Sequence, residues 1–396
     1  MFPSGWGRLA FGRRVLQVRT IENMKFHGPH AGSLSPIVIR LGALGDMINL
    51  SSLVHFLHQR YGSPCVLIGA GSWSEPIYRG NPDVAQVWVL DRHVPFLLNR
   101  AGWAVLAALR RSAPAPVYVC DDDKQLLRVQ RLLKLSGVDP RRTLFINGHA
   151  RESEQHHLDR LINFGKCTPP ALPDDSYPLP PSAHVCLRSA FELEPERAEL
   201  RQWLVSRGWA GKELILVQPG NRRTISTRRG RHRRLGRDDK YWPSQRWIEL
   251  FRRIHARIPD ALILLCGAPQ EEGMLQQLCK AAQMPGVVGV ASLPIRLFFA
   301  LCEAAHSMVS VDTGPAHAAA ASGLRLVVMF GAQRQSRWLP RGPSGTRVIG
   351  LGGPPASSHI EQISVEEVFE AWDSLAEQQA EACELEVQPR LAALTR

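Results

Sequence analysis

One local pattern constrains this chain more than any other: a short β-branched run, then a turn containing glycine and an acid, then apolar residues at helical spacing. It occurs at Ile37–Leu41, which is followed by Gly42-Ala43-Leu44-Gly45-Asp46 and then by Met47, Ile48, Leu50, Leu53, Val54 and Leu57. It occurs again at Met308–Val311, followed by Asp312-Thr313-Gly314-Pro315 and a helix near Pro315. Short apolar runs bounded by turns predict buried strands, and strands alternating with helices predict a mostly parallel sheet covered on both faces. At 396 residues the chain exceeds what one ordinary core supports, so two such units are expected.

The alternation predicts strands at Cys65–Ile68, Val87–Leu90 and Val117–Cys120, with helices over Trp103–Arg111 and Lys124–Leu135. Prolines 169, 170, 173, 178, 180 and 181 then interrupt regular structure. After a helix over Pro195–Arg207 the alternation restarts, with strands Leu214–Val217, Ala261–Cys266, Val287–Val290 and Met308–Val311 and a final strand Leu324–Phe330. Helices fall after Trp242-Pro243, from Glu271 and over Pro294–Ala305. The expected division is residues 1–35 as a disordered extension, 36–190 and 191–355 as two Rossmann-like α/β domains, and 356–396 as a C-terminal helix and tail. The tail, Ser364 to about Gln379, reads as an amphipathic helix folding back across the first domain. Met24 offers an alternative start to the arginine-bearing leader.

Composition narrows the function. No stretch reaches the 18 or so apolar residues that span a bilayer. The eight cysteines form no CxxC pair, which fits a reducing, cytoplasmic setting. Neither a P-loop nor a Ser-His-Asp context occurs. The net charge of +12 is concentrated: eight arginines and no acid lie between Asn221 and Arg237, including Arg228, Arg229, Arg231, Arg233 and Arg234. Such a run suits an anionic acceptor or membrane surface, or a solvated loop. Nucleic acid is disfavoured, because no aromatic side chain for base stacking lies between Asn221 and Lys240.

Two open parallel sheets in tandem leave a cleft at the carboxyl ends of their strands, where ligands bind in such folds. Four groups of residues fall there. Gly42 and Gly45 permit close approach of a ligand to the backbone, and Asp46 is either a general base or a helix cap. At Asp312-Thr313-Gly314-Pro315-x-His317, backbone N–H groups, the Thr313 hydroxyl and the His317 imidazole converge at a helix N-terminus suited to phosphate, against the alternatives of Asp312 as a helix cap and His317 as a packed histidine. Lys240, just before a helix, suits a diphosphate leaving group, against the alternative of a surface lysine. Glu271 suits ribose hydroxyls, or complements a helix dipole. His156 and His157 read as surface residues, and Asp121-Asp122-Asp123 reads as a strand-to-helix junction rather than a divalent-ion site.

Taken together, Arg40-Leu41-Gly42-x-x-Gly45-Asp46, Arg79-Gly80-Asn81-Pro82-Asp83, Asp239-Lys240-Tyr241-Trp242-Pro243, Ser310-Val311-Asp312-Thr313-Gly314-Pro315-x-His317 and Phe330-Gly331 resemble glycosyltransferase family 9, the ADP-heptose:lipopolysaccharide heptosyltransferases. The resemblance covers roughly Ile37 to Pro340. It implies a GT-B fold and an inverting, metal-independent transferase with no cofactor beyond its substrate, an ADP-sugar and foremost ADP-heptose. It implies Asp46 as base and Lys240 as ligand of the donor phosphates. Asp312, Thr313, Gly314 and His317 would surround the sugar diphosphate, and Glu271 would contact the ribose. A lipopolysaccharide core or other anionic surface glycan or lipid is the implied acceptor, with the arginines suited to peripheral contact at the inner membrane face. The rival readings are a non-catalytic nucleotide-sugar sensor and a basic nucleic-acid-binding protein.

Overall fold

The computed structural model describes residues 34–91, 98, 100–121, 123–173, 176–180, 192–221 and 238–375. The expectations for the leader and for the arginines between 222 and 237 fall outside them.

The first domain runs β1 (Ile37–Arg40), α1 (Leu44–Tyr61), β2 (Cys65–Ala70), α2 (Ser74–Tyr78), β3 (Val84–Leu90), α3 (Arg100–Arg111), β4 (Val117–Val119), α4 (Asp123–Ser136), β5 (Thr143–Phe145) and α5 (His157–Gly165). Its five strands are all parallel, in the order β3-β2-β1-β4-β5. Alternation along β1 sorts the two faces. Val38 packs with α1 and α5, through Leu53, Phe56, Leu161 and Phe164. Ile37 and Ile39 point to the other face, against Val105, Leu109, Val129 and Leu132 of α3 and α4.

The second domain continues with α6 (Glu194–Ser206), β6 (Leu214–Gln218), α7 (Ser244–Arg257), β7 (Leu262–Gly267), α8 (Glu272–Ala282), β8 (Val287–Ala291), α9 (Ile295–Ala304), β9 (Ser307–Val311), α10 (Gly314–Ala321), β10 (Leu326–Phe330), α11 (Gln335–Trp338) and β11 (Val348–Gly352). These six strands are also parallel, ordered β11-β10-β9-β6-β7-β8. Each sheet reverses its winding at one place, between β1 and β4 in the first and between β6 and β9 in the second. Residues just beyond these strands line the crevice where an open α/β sheet binds its ligands. The two-domain α/β reading from the sequence therefore holds, as does the placing of its main strands.

Two expectations are corrected. Leu326–Phe330 is not the last strand; β11 adds to its free edge. Its sequence, Val-Ile-Gly-Leu-Gly, is short, interrupted by glycine and only partly buried, which hid it from pattern reading. The C-terminal helix, residues 365–375, packs on the second domain and not on the first. Val368, Trp372 and Leu375 enter the core beneath Ile215, Val309 and Val327. The Trp372 indole N–H donates to Ser307 Oγ at 2.8 Å, and Arg325 donates to the Leu375 carbonyl. An apolar helix face settles where a complementary unfilled face exists, and the outer face of the second sheet supplies it.

The two domains meet directly. Arg296, buried in α9, donates to Glu196 Oε1 at 2.6 Å and to the carbonyls of Pro76 and Glu192. From α5 and the loop before it, Asp159 pairs with Arg341 at 2.8 Å and Glu154 with Arg334 at 3.0 Å.

Candidate active site

α1 begins where Asp46 Oδ2 accepts the N–H of Ala43 at 2.7 Å, an acid in the first turn that satisfies a backbone donor preceding the helix. It ends at Gly62, whose φ of 65° closes the last turn with its N–H on the His58 carbonyl. The cap reading of Asp46 is thus realised. Its other oxygen, Oδ1, accepts from Arg40 Nη2 at 2.7 Å. Arg40 is itself buried at the end of β1 and donates to the Cys120 carbonyl beyond β4. Across the same crevice the Asp121 carboxylate takes the N–H of Leu41 at 2.9 Å, the strand-to-helix junction expected of it. Burial pushes the Asp46 pKa up, but the Arg40 charge, its hydrogen bond and the Ala43 N–H outweigh that and hold it below the usual carboxylate range. Asp46 is therefore ionised at neutral pH, with both oxygens oriented.

α10 brings the opposite wall. Its sequence, Gly-Pro-Ala-His-Ala-Ala-Ala-Ala, joins a proline suited to the first turn with strong helix formers. Thr313 Oγ1 donates back to the Val311 carbonyl at 3.1 Å, so its hydroxyl does not cap the helix. The small residues let α10 approach α1 closely. A Cβ on Gly314 would lie 2.9 Å from Leu44 Cβ and 3.1 Å from the Gly45 nitrogen; one on Gly45 would lie 2.8 Å from His317 Cδ2. Glycine is needed at both positions because the two helix N-termini meet there.

His317 follows one turn into α10, 7 % exposed, and its Nδ1 has no hydrogen-bond partner among the described residues. Burial lowers its pKa, while the charges of Asp312 and Asp46 pull it up. Lys240 reaches the same place from the other side of the second sheet. Its Nζ donates to Asp312 Oδ2 at 2.7 Å and to the Asp312 carbonyl at 2.6 Å. The loop bearing Lys240 is fixed by Asp239, whose carboxylate takes the N–H of Ala332 and whose carbonyl takes that of Ile360. Gly331 is required there, since a Cβ would come within 2.3 Å of the Asp239 carbonyl oxygen. Asn221 Nδ2 donates to Asp238 Oδ2 at 3.2 Å and to the Lys240 carbonyl at 3.3 Å. The two ends of the arginine-rich segment are thereby joined beside Lys240. Glu271 is buried past β7, with Oε2 on the N–H of Ala268 and Oε1 against Gly220 at the end of β6.

The structure thus gathers Gly45, Asp46, Lys240, Asp312, Gly314 and His317 at the junction of two winding reversals, with Glu271 at the adjoining strand end. Gly42 also belongs here: a Cβ on it would meet the Asp46 side chain at 2.5 Å. Arg228, Arg229, Arg231, Arg233 and Arg234 lie outside the described residues.

His156 and His157 are not surface residues. They are 5 % and 3 % exposed, because α5 starts against the second domain. His156 Nδ1 accepts the N–H of Leu158 at 3.2 Å, and its Nε2 lies 2.9 Å from the Leu339 carbonyl. The His157 ring stacks on Trp338 with centroids 4.6 Å apart. Burial, then the charge of Arg40, depresses the His157 pKa to about 3, against an upward pull from Asp46. Sequence reading missed His157 and the role of Arg40. Two histidines before an amphipathic helix were the available signal, but nothing local shows that another domain covers them.

This arrangement defines a class: a two-domain GT-B-type glycosyltransferase fold, with candidate site residues contributed from both sides of the cleft. The model of glycosyltransferase family 9 (heptosyltransferase) matches residues 230–365. Among solved structures, the family 9 glycosyl transferase from Veillonella parvula aligns with a TM-score of 0.67 at 16 % identity, over 87 % of this chain and 98 % of that one. The ADP-heptose lipopolysaccharide heptosyltransferase II of E. coli gives 0.65 at 17 %, over 88 % and 100 %. The E. coli heptosyltransferase WaaC with ADP gives 0.58 at 17 %, over 86 % and 99 %. No curated protein matches the sequence. Residues 230–365 thus resemble glycosyltransferase family 9 in sequence, and the chain as a whole shares the two-domain fold of these heptosyltransferase structures.

Proposed function

We propose that this protein transfers heptose from ADP-heptose to a hydroxyl of a lipopolysaccharide core or another anionic surface glycan, with inversion and without a metal ion. The observation that carries the reading is the meeting of an ionised, oriented Asp46 with the His317–Asp312–Lys240 group across two touching helix N-termini. The donor diphosphate binds at the N-terminus of α10, where the helix dipole, Thr313, Gly314 and the unpartnered His317 Nδ1 favour an anion. Lys240 neutralises the charge that develops as the bond to the diphosphate breaks. Glu271 receives the ribose hydroxyls. Asp46 accepts the proton of the acceptor hydroxyl as that oxygen attacks the anomeric carbon from the face opposite the leaving diphosphate.

In this reading residues 36–190 hold the acceptor and residues 191–355 the donor. The arginines at 228, 229, 231, 233 and 234 are assigned to the phosphates of an anionic acceptor, because so many cations with no acid among them suit a multiply charged group. The protein works in the cytoplasm, at the inner face of the membrane. Among the described residues no helix is long and apolar enough to cross a membrane. Thermal stabilisation by a panel of nucleotide sugars tests the donor assignment. ADP-heptose is expected to raise the unfolding midpoint most, and a larger shift with a uridine or guanosine sugar would overturn it.

A further inference from the structure

The outer face of α3 and α4 carries a composition that the transfer chemistry does not use. Six large apolar side chains are exposed among the described residues, and three of them lie on these two helices: Trp103, Leu127 and Leu135, exposed by 55, 66 and 46 %. Such a concentration is not the scatter of single apolar residues found on any surface. On α3, Arg100, Trp103, Ala107 and Arg110 follow one another at helical spacing on the side away from the core. On α4, Leu127, Arg131, Lys134 and Leu135 do the same. The two helices lie side by side, with Arg110 Nη2 donating to the Leu135 carbonyl at 3.0 Å.

Charge is equally one-sided. α3 contains no acid, and α4 contains none after Asp123. Arg100, Arg110, Arg111, Arg131 and Lys134 form no ion pair with any described residue. Nearby Asp121 is buried on the Leu41 N–H, and Asp139 at the far end is held by Arg141. Of the other neighbouring acids, Asp91 after β3 and Asp123 at the start of α4 are confined to the strand-end edge of the face, and Asp122 directly precedes Asp123 in sequence. Unpaired cations interleaved with an exposed tryptophan and leucines suit one environment better than water: a lipid surface bearing negative headgroups, where the rings and aliphatic tips enter the interface and the cations meet phosphate.

We infer that the α3–α4 face, with Trp103, Leu127, Arg100, Arg131 and Lys134 at its centre, docks the protein on an anionic lipid bilayer. Both helices start at the carboxyl ends of their strands, the end of the first sheet that bears Asp46, on the face opposite α1 and α5. Docking there sets the cleft beside the membrane without covering it. The inference deepens the proposed transfer to a membrane-borne glycan, and rests on that reading only for its purpose.

The test uses the full chain and needs neither donor nor acceptor. Co-sedimentation is measured with vesicles of phosphatidylcholine, and of phosphatidylcholine mixed with phosphatidylglycerol. The native protein is expected to pellet with the mixed vesicles only, and less as salt rises. W103S/L127S and, independently, R100Q/R131Q/K134Q are each expected to cut the bound fraction about fivefold or more. Both variants should keep the native unfolding midpoint and the native rate on a soluble acceptor fragment. Equal binding by native and variant proteins would overturn the inference, as would failure of the native protein to bind. Binding lost only when arginines between 222 and 237 are replaced would also overturn it, by moving the contact to that segment. Retained lipid binding with loss of single-stranded RNA binding in the same variants would assign the face to another partner. Vesicle binding without transferase activity would sink the proposed function and leave this inference standing.

Discussion

Lys240 Nζ lies 2.7 Å from a carboxylate oxygen of Asp312 and 2.6 Å from the carbonyl of the same residue, tying the loop before α7 to the turn before α10. Asp312 is buried, so the lysine both neutralises it and stands at the N-terminus where an anion would bind. The pair gives a two-part prediction. Lys240→Met strands a buried carboxylate and should lower stability by about 1–3 kcal/mol, read from urea unfolding. K240M/D312N should recover most of that loss yet still bind ADP weakly by calorimetry. Native ADP affinity in the double variant would remove Lys240 from the donor site.

Asp46→Ala should reduce turnover about 10²–10⁴-fold, the range a positioned general base supplies, with ADP affinity nearly unchanged. Because Arg40 keeps the Asp46 pKa low, the acid limb of the pH–rate profile should fall below the range of an ordinary carboxylate. Arg40→Met is expected to move that limb to higher pH, since the orienting cation is gone. Native turnover in Asp46→Ala would end its assignment as base.

Gly314→Ala tests the contact between the helix N-termini. The added methyl meets Leu44 Cβ at 2.9 Å and the Gly45 backbone at 3.1 Å, neither of which can swing aside as a flexible side-chain end would. A cost of about 1–3 kcal/mol is expected, with a larger radius of gyration in solution scattering as the domains separate. Unchanged stability and size would mean that the two helices do not depend on this approach.

The buried histidines set an acid limit on stability. Burial lowers the pKa of His156 to about 4 and of His157 to about 3, from an ordinary value of 6.5. Between about pH 6.5 and those values the unfolded chain binds protons that the folded chain refuses, so stability rises with pH across that window and is lost as pH falls through it. His157→Gln should reduce the slope of unfolding free energy against pH by about one proton in that range. An unaltered slope would show that His157 is accessible to protons in the folded protein.

Much of the candidate site was legible because its motifs sit where periodicity already places strand ends. Asp46 follows the Ile37–Leu41 run, and Asp312 follows Met308–Val311; any parallel sheet puts such residues at one end. Glu271, just past β7, follows by the same logic, whereas Lys240 was placed by the helix that begins soon after it. The short edge strands Thr143–Phe145 and Val348–Gly352 were not legible, since each pairs on one side only and carries little apolar pattern. The direction taken by the C-terminal helix was also hidden. Its apolar face says that it must be covered, not by which domain.

The sequence by itself determined two parallel α/β units and the order of the groups at their strand ends, because strand and helix periods are local and repeat within a few residues. Only the tertiary structure decided that Gly45 and Gly314 touch, that Arg40 holds Asp46, and that His157 lies buried on Trp338. Gly45 and Gly314, like His157 and Trp338, are far apart in the chain and meet only because one domain's surface fits the other's. Arg40 and Asp46 are close in sequence, but their pairing depends on how the end of β1 is buried against α1.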